Sequence, residues 1–380
     1  MPARVSGIVG DYPSPALSST HHGHARRRVE LTPDDGDGPW QTAAVLFATS
    51  RLQVRFLRSD DAESVAAYRN DPEIARYQNW ELPYTIERAV LRLGAQDGLT
   101  AIAPGVQANL ALERNGELIG DIFVDVDSDG ASAEIGFTLL RRAQGFGFAT
   151  EAAGALVDHL LERTQINRII ASLDPVNVAS MRVLEAIGMQ FECLARGAVF
   201  LRGAWVDDLR YAMTREERLN WCAAFRPPST VSLAKVTDAN LLDVVALRTH
   251  HSQERLVAPM AKSLAQVLVP PIEPNGSSVV PWYRAIVADD EIVGFVMLSI
   301  GPTEPDPFLW RLLIDRRHQR RGVGSRAIRS LAEQFRSSGS TALAVSWTEG
   351  AGSPGPFYEQ LGFAPTGANA AGETLARLVL

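Results

Sequence analysis

Cysteine is scarce in this chain of 380 residues, which has only Cys193 and Cys222. Two cysteines cannot build the disulfide framework of a small secreted protein, and their spacing is not that of a metal site. The His-rich run "HHGHARRR" near the N-terminus could bind a metal or an acidic partner, and the alternative, which we expect, is a solvated tail. No apolar run reaches the roughly 18 residues that a bilayer-spanning helix needs, and the N-terminus lacks the apolar block of a signal peptide. We therefore expect a cytoplasmic protein without disulfides, bound metal or membrane attachment.

An excess of basic residues is also missing. The formal net charge is −7 and the isoelectric point is about 5.6, which argues against nucleic acid as a partner, because nucleic-acid-binding domains are usually basic. Apolar residues make up 46% and charged residues 21% of the chain, the balance of an ordinary globular protein. This length predicts two or three domains.

The chain repeats one order of elements. Residues 1–45 are rich in Pro, Gly, Ser, His and charge without a period, which predicts a disordered tail. Residues 46–224 show a strand, a capped helix, a hairpin, a third strand, a glycine-containing turn, a helix, and then strands with a short helix. Residues 231–380 repeat this order after a short linker, residues 225–230. We therefore expect two α/β (α+β) domains, each with a mixed, mostly antiparallel sheet flanked by helices.

Each half has a glycine phrase where a strand leads into a helix, "RAQGFG" at residues 142–147 and "QRRGVG" at residues 319–324. A helix N-terminus exposes unpaired N–H groups, and glycine lets the backbone approach a phosphate closely. The lysine of a Walker A loop is missing, and neither phrase follows the first strand of its half as a Rossmann fingerprint does. We align the phrases as [RQ]-x-x-G-x-[GA], 177 residues apart from 142 to 319. The matching positions are Arg142, Gly145 and Gly147 in the first half and Gln319, Gly322 and Gly324 in the second.

In this context the two phrases resemble the acetyl-CoA loop of the GNAT N-acetyltransferase superfamily. The first half resembles the RimJ/RimL branch through "QGFGFATEA", "DPVNVASMRVLEAIGM" and "GAWVDDLRYAMTREE". The second half is similar to polyamine-type or general GNAT acetyltransferases through "LWRLLIDRRHQRRGVGSRAI" and "GSPGPFYEQLGF". The resemblance covers nearly all of residues 48–380 and implies two tandem GNAT-like domains.

The resemblance implies an acyltransferase that moves the acetyl group of acetyl-CoA directly to a primary amine of a small molecule, a protein or a peptide. The cofactor is then expected between two strands that splay apart beside each glycine phrase, where a backbone N–H of the third strand faces the acetyl carbonyl. The implied cofactor-binding residues are Phe137, Thr138, Leu139, Arg142, Gln144, Gly145, Phe146, Gly147, Phe148, Ala149 and Asn177 in the first half, and Leu313, Ile314, Asp315, Gln319, Arg320, Arg321, Gly322, Val323, Gly324 and Ser325 in the second.

Acetyl transfer to an amine calls for a general base, an oxyanion donor and a general acid. For the base of the first half we predict Glu134, because a carboxyl in an apolar cleft has a raised pKa; the alternative is an exposed strand-edge glutamate. The resemblance places the acid at Ser180 and lets Asn177 hold the pantetheine arm, and the alternative for Asn177 is a helix N-cap.

The second half offers an acid but no evident base. The resemblance places the acid at Tyr358, and the alternative is a core tyrosine. Asp315 and Glu304 are candidates for the base, beside a water chain. For the acceptor amine we predict contacts in the first half, with a core-covering role as the alternative for the aromatic residues and a solvated turn as the alternative for the acid. These residues are Trp80, Tyr84 and Asp207, and the adjacent Asp208 is a second acid that could attract a cationic amine.

Three functional hypotheses stay open. The first is an enzyme with two acyl-CoA-binding domains, at least one of them active on an amine acceptor. The second is that one domain is catalytic and the other is a non-catalytic acyl-CoA-binding or scaffold domain. The second half is then the expected silent one, because it lacks an evident base, and the alternative is a first domain that serves as a docking module while Tyr358 acts in the second. The third is a nucleotide-binding protein unrelated to acyl transfer. The tandem arrangement fits a monomer that imitates a dimer, or a homodimer.

Overall fold

A computed structural model describes residues 45–272, 278–301, 306–369 and 371–380. The predicted N-terminal tail, apart from Val45, and the candidate base Glu304 lie outside these described residues. Among the residues that are described, no helix is long and apolar enough to cross a membrane.

The first half forms one sheet of strands that are antiparallel except at one central pair. The strands are β1 (Phe47–Ala48), β2 (Gln53–Phe56), β3 (Gln107–Arg114), β4 (Glu117–Val126), β5 (Ser132–Leu139), β6 (Arg168–Leu173), β7 (Gln190–Leu201) and β8 (Ala204–Thr214), in the order β1-β2-β3-β4-β5-β6-β8-β7. The β3–β4 hairpin turns on Asn115 and Gly116, whose φ angles of 52° and 78° suit a two-residue type I′ turn. The pair β5–β6 is parallel, and a helix forms the crossover connection that a parallel pair requires.

Helices cover both faces of this sheet. They are α1 (Ala62–Arg69), α2 (Pro72–Ala75), α3 (Ile86–Gly94), α4 (Phe148–Arg163), α5 (Val178–Ala186) and α6 (Arg215–Ala224). Leu156 of α4 and Leu184 of α5 pack with Ile135 and Ile169 of the central strands on one face. On the other face, Val65 of α1 is buried with side chains of α3 and β3.

The second half repeats this architecture. Its strands are β9 (Val231–Ala234), β10 (Val280–Ala288), β11 (Glu291–Ile300), β12 (Phe308–Ile314), β13 (Ala342–Trp347), β14 (Ala364–Ala368) and β15 (Thr374–Val379), in the order β14-β15-β13-β12-β11-β10-β9. The β10–β11 hairpin turns on Asp289 and Asp290, with φ angles of 46° and 68°. Again only the central pair, β12–β13, is parallel.

The helices of the second half are α7 (Leu241–Ala246), α8 (Met260–Leu268), α9 (Val323–Ser337) and α10 (Gly355–Gln360). Leu331 of α9 is buried with Leu343 and Val345 of β13 on one face. Val244 of α7 and Met260 of α8 are buried on the other face. The predicted fold class, two tandem domains with mixed, mostly antiparallel sheets and flanking helices, is confirmed.

The predicted linker, residues 225–230, is fixed to the second half. Arg321 donates to the carbonyl of Arg226 at 2.7 Å, and Arg326 donates to the carbonyls of Pro228 and Ser229 at 2.5 and 2.9 Å. The segment therefore lies against the first turn of α9. The domain boundaries at residues 224 and 231 stay a prediction.

A buried carboxylate connects the two halves. Glu185 of α5 is only 4% exposed. It accepts hydrogen bonds from the hydroxyl of Tyr211 at 2.8 Å, and from the backbone N–H and the hydroxyl of Ser252 at 3.0 and 2.5 Å. Beside it, the rings of Phe191 and His251 stack with centroids 4.1 Å apart. Because a buried charge without partners is costly, these donors hold α5 of the first half against the turn His251–Gln253 of the second.

We expect Ser252→Ala to lower the free energy of unfolding by about 1.5–3 kcal/mol, because the substitution removes a hydrogen bond to a buried charge. The measurement is urea denaturation of the full chain. Ser263→Ala is the control, since Ser263 is also buried but donates to a neutral carbonyl, that of Pro259. Equal losses in the two variants would contradict a special role of the Glu185 carboxylate.

Candidate active site

The two parallel strands at the centre of each sheet separate after a few residues. β5 and β6 pair only over Ser132–Glu134 and residues 168–170. β12 and β13 pair only at Phe308 and Leu309. Beyond the last pair each half has an open wedge, and in the second half this wedge belongs to a cleft of about 730 Å³.

One edge of the first wedge is free backbone of β5. Leu140 donates its N–H to Ile119 at 3.0 Å, so the even-numbered residues of β5 direct their backbone groups toward β4. Because successive residues of a strand point to opposite sides, Phe137 and Leu139 direct their N–H groups into the wedge. Thr138 faces β4, which corrects the prediction that its backbone binds the cofactor.

The second wedge follows the same rule. Asp315 donates its N–H to Val293 of β11 at 2.8 Å, so Asp315 and Leu313 face β11. Leu312 and Ile314 face the wedge. The predicted backbone roles of Leu313 and Asp315 are therefore corrected, and Leu312 was missed because the sequence does not show which side of the strand is paired.

Equivalent hydrogen bonds set the register of the two glycine phrases. The side-chain amide of Gln144 donates to the carbonyl of Leu139 at 3.0 Å, and that of Gln319 donates to Ile314 at 3.0 Å. Gly147 and Gly322 both cap the following helix, with φ angles of 79° and 78°. The equivalent residues stand 175 residues apart, from 144 to 319, so the predicted register is corrected by two residues.

The corrected register gives both halves the pattern Q-x-x-G-x-[GA], ending at Ala149 and Gly324. Gly145, with φ of 83°, then corresponds to Arg320, which adopts φ of 58°. Arg142 precedes the phrase in the turn Arg141–Ala143, where its guanidinium is exposed and paired with Glu117. The shared glutamine was the signal in the sequence that could have fixed this register.

Each phrase presents a run of unpaired backbone donors. In the described part of the chain, the N–H groups of residues 145–150 and of residues 320–325 donate to no protein acceptor. Phe148 and Val323 are buried and fix the start of each helix. Such a cradle at a helix N-terminus, beside an open wedge, fits the diphosphate and the extended arm of coenzyme A. No group of three or more His, Cys, Asp or Glu side chains within the described ranges is arranged to hold a metal ion.

The predicted base Glu134 lies in a small carboxylate cluster. Glu134 is exposed to solvent, as the alternative prediction has it. Crowding by protein atoms nevertheless raises the pKa of Glu134, and the carboxylates of Asp208 and Asp125 raise it further. Partial burial also raises the pKa of Asp208, whereas a hydrogen bond from the hydroxyl of Ser172 lowers that pKa by stabilising the carboxylate. Arg210, on the same face, acts in the opposite direction on both carboxyls.

Asp207 is not part of this cluster. Its carboxylate accepts the backbone N–H of Gly197 at 2.8 Å and so braces the β7–β8 hairpin. Leu209 and Tyr211 are buried, so alternation puts Asp208 on the same face as Glu134. The predicted acceptor contact at Asp207 is therefore corrected, whereas Asp208, the other acid predicted to attract a cationic amine, stays a candidate.

In the second half an apolar residue stands at the position of Glu134. Leu139 and Ile314 are equivalent residues of β5 and β12. When the two strands are aligned backward from these residues and Trp310, the extra residue of a β-bulge, is skipped, Glu134 corresponds to Phe308. Asp315 does not replace it, since hydrogen bonds from Arg317 and the N–H of Arg248 outweigh burial and lower the pKa of the Asp315 carboxyl.

A carboxylate that the sequence analysis missed lines the second cleft. Glu373 precedes Thr374, which pairs with Trp347 at the end of β13. Asp208 likewise precedes Leu209, which pairs with Leu173 at the end of β6. Its carboxylate accepts the hydroxyl of Ser346 at 2.7 Å and the amide of Asn369 at 2.8 Å. The two halves therefore share an acid and a serine at this place.

The predicted acids stand at the start of the helices that follow the wedges. Asn177 is the N-cap of α5, and its side chain accepts the N–H of Ser180 at 3.1 Å, so the alternative predicted for Asn177 is observed. Tyr358 of α10 lines the second cleft, but its ring is 7% exposed and stacks on Trp347. Burial raises the pKa of the Tyr358 hydroxyl well above its usual value.

The aromatic residues predicted to contact the acceptor are used inside the protein. Trp80 and Tyr84 are 8% and 2% exposed and flank the guanidinium of Arg69, whose central carbon is 4.8 and 5.0 Å from their ring centroids. The indole of Trp80 also donates to the carbonyl of Arg69 at 3.0 Å. These contacts correct the stacking prediction in favour of core packing.

Comparison with family models agrees with this geometry. A model described as an acetyltransferase (GNAT) domain matches residues 51–190, and a model described as the acetyltransferase (GNAT) family matches residues 255–363. Together the two segments span more than half of the chain. This chain belongs to the GNAT acetyltransferase family. GNAT proteins transfer an acetyl group from acetyl-CoA to an amine, so the chain is an acyltransferase that uses acetyl-CoA, and the predicted tandem is confirmed.

Three proteins that are similar to this GNAT tandem each cover less than half of it. The uncharacterized N-acetyltransferase p20 of Bacillus licheniformis is 29% identical over 171 residues, which are 44% of this chain and 96% of that protein. A GNAT acetyltransferase structure from Bacillus anthracis is 27% identical, covers 44% of this chain and 98% of its own, and has a TM-score of 0.40. Mycobacterium smegmatis RimJ, solved with CoA-disulfide, is 26% identical, covers 44% and 83%, and has a TM-score of 0.38.

We expect Gly322→Ala to weaken CoA binding at one site by about tenfold, equivalent to about 1.4 kcal/mol, because the new methyl group points into open space beside the donor cradle. Isothermal titration of the full chain measures this effect. Gly339→Ala is the matched control, since Gly339 also has positive φ and open space but ends α9 far from the cradle. Both variants carry the strain of left-handed alanine, about 1–2 kcal/mol. Equal CoA affinities in both variants would speak against the cradle.

Proposed function

We propose that the first domain, residues 46–224, acetylates a primary amine by direct transfer, with Glu134 as the general base. The observation that carries this proposal is a carboxyl of raised pKa at the point where β5 and β6 separate. A base of raised pKa is suited to take a proton from an ammonium group near neutral pH.

Acetyl-CoA, when bound, supplies the acetyl group as a reactive thioester. The first glycine phrase binds its phosphates through the N–H groups of residues 145–150. Phe137 and Leu139 direct backbone N–H groups into the wedge, where they would stabilise negative charge on an acetyl oxygen. Glu134 would accept the proton of the amine, and the Ser180 hydroxyl would donate a proton to the sulfur that leaves.

The acceptor is proposed to be a cationic amine of a small molecule or a peptide. Glu134, Asp208 and Asp125 gather negative charge on one face of the wedge, which favours a cation over a neutral or anionic acceptor. The aromatic residues Trp80 and Tyr84 are withdrawn into the core and do not define this acceptor.

The second domain, residues 231–380, is proposed to bind acetyl-CoA in its own cleft. Phe308 in place of the base supports the hypothesis that this domain is non-catalytic and acts as an acyl-CoA-binding or scaffold domain. The alternative is a second active site, in which Glu373 serves as base and Tyr358 as acid.

A panel of amines tests the function of the whole chain. Release of the CoA thiol from acetyl-CoA is followed with spermidine, an aminoglycoside, a free amino acid, and a peptide with either a free or a blocked N-terminus. We expect release with at least one cationic amine. If CoA binds but no amine accelerates thiol release, the chain is an acyl-CoA-binding protein and the proposal fails.

We expect Glu134→Gln to lower kcat/KM for the accepted amine by at least about a hundredfold, as loss of a general base does. Tyr358→Phe is expected to leave it unchanged, because its hydroxyl lies in the other cleft. The readout is the same thiol assay with each variant in the full chain. A loss of kcat/KM in Tyr358→Phe but not in Glu134→Gln would assign catalysis to the second domain.

Asp208→Asn should shift the rising limb of the pH–rate profile to lower pH. The Asp208 carboxylate raises the pKa of Glu134, so its neutralisation lowers that pKa and leaves the base deprotonated at lower pH. The profile of kcat/KM is measured with one amine throughout, because the amine itself also titrates. Asp207→Asn, which removes an equal charge from the hairpin side, should give the wild-type profile.

A further inference from the structure

Arg182 belongs to α5 of the first half, yet it lines the cleft of the second. Its Cδ is 3.9 Å from the place where a Cβ on Gly352 would lie, in the loop between β13 and α10. Gln319, Arg320 and Gly322 of the second glycine phrase line the same cleft. A side chain of one domain thus reaches the ligand cleft of the other.

The position of Arg182 is set by the buried carboxylate that joins the halves. Glu185 follows three residues later on α5, so both side chains project on the same side of the helix. Glu185 holds Ser252, and the next residue, Gln253, exchanges two hydrogen bonds with Gln319 at 3.0 and 2.7 Å. A continuous run of contacts therefore leads from α5 to the second glycine phrase and fixes the distance between them.

The guanidinium of Arg182 has no partner among the residues that the structure describes, and neither has that of Arg320. The stem of Arg182 lies beside Gly352, and the residue as a whole lines the cleft. Arg320 adopts a left-handed conformation that is unfavourable for a residue with a side chain, a type of strain that clusters at ligand sites. Two unpaired cations and the run of free N–H groups thus border the cleft.

We propose that Arg182 of the first domain completes the phosphate-binding site of the second domain. A guanidinium binds phosphate through two parallel hydrogen bonds, and coenzyme A carries a diphosphate and a 3′-phosphate. The second cofactor site is then composite, and the second domain needs the first to bind CoA at full strength. This inference rests on the proposed assignment of the second cleft to acetyl-CoA.

The experiment is a fluorine NMR titration of the full chain labelled with 5-fluorotryptophan. The chain has seven tryptophans, of which Trp310 and Trp347 line the second cleft and report on that site alone. Their signals are assigned from Trp310→Phe and Trp347→Phe spectra. CoA and dephospho-CoA, which lacks the 3′-phosphate, are titrated separately into wild type, Arg182→Ala, Arg182→Lys and Arg163→Ala. Arg163 is the control, an exposed arginine of the same domain outside the cleft that also lacks a partner among the described residues.

We expect Arg182→Ala to raise the dissociation constant for CoA at the second cleft by about tenfold or more, as loss of a charge-assisted hydrogen bond does, and Arg182→Lys to recover part of the affinity. A loss for CoA but not for dephospho-CoA assigns the contact to the 3′-phosphate, and an equal loss for both assigns it to the diphosphate.

Two results would overturn the inference while leaving the second cleft as a CoA site. One is an unchanged CoA affinity in Arg182→Ala. The other is an equal loss in Arg163→Ala, which would mean that net charge alone matters. If CoA moves neither cleft signal in the wild type, the assignment of the cleft itself fails, and the inference with it.

Discussion

Parallel strands need a crossover connection, and in both halves of this chain the crossover helix starts beside the point where the parallel pair separates. The short pairing of β5 with β6, and of β12 with β13, leaves strand backbone unpaired on one side. The turn into the helix then places further free N–H groups at the wide end of the wedge. In both halves the topology thus leaves backbone donors of the described residues available to a ligand.

The duplicated framework carries different side chains at matching places. Gly145 is replaced by Arg320 in the same left-handed conformation, and Glu134 by Phe308 at the mouth of the wedge. An acidic residue is present at the same place in both halves, next to the end of β6 as Asp208 and next to the end of β13 as Glu373. Because the cradle consists of backbone N–H groups, its geometry is the same in both halves despite these different side chains.

Local patterns in the sequence were sufficient for the element order, the fold class, the family and the location of both glycine phrases. They were insufficient wherever a choice depended on strand pairing. The phrase pattern fits the first half in two registers, and only the hydrogen bond of Gln144 to Leu139 decides between them. The backbone directions of Thr138 and Leu313 depend on which neighbour each strand pairs with. Glu185 and Ser252 are 67 residues apart, and no local pattern joins them.

The linker has a mechanical consequence for the tandem. Its backbone is held by Arg321 and Arg326, which lie in the glycine phrase and in the first turn of the helix that follows it. A force that pulls the two halves apart would therefore act on the start of α9, through Arg321 and Arg326, before it extended the linker. An insertion or deletion in residues 225–230 would therefore disturb the start of α9 as well as the spacing between the two halves.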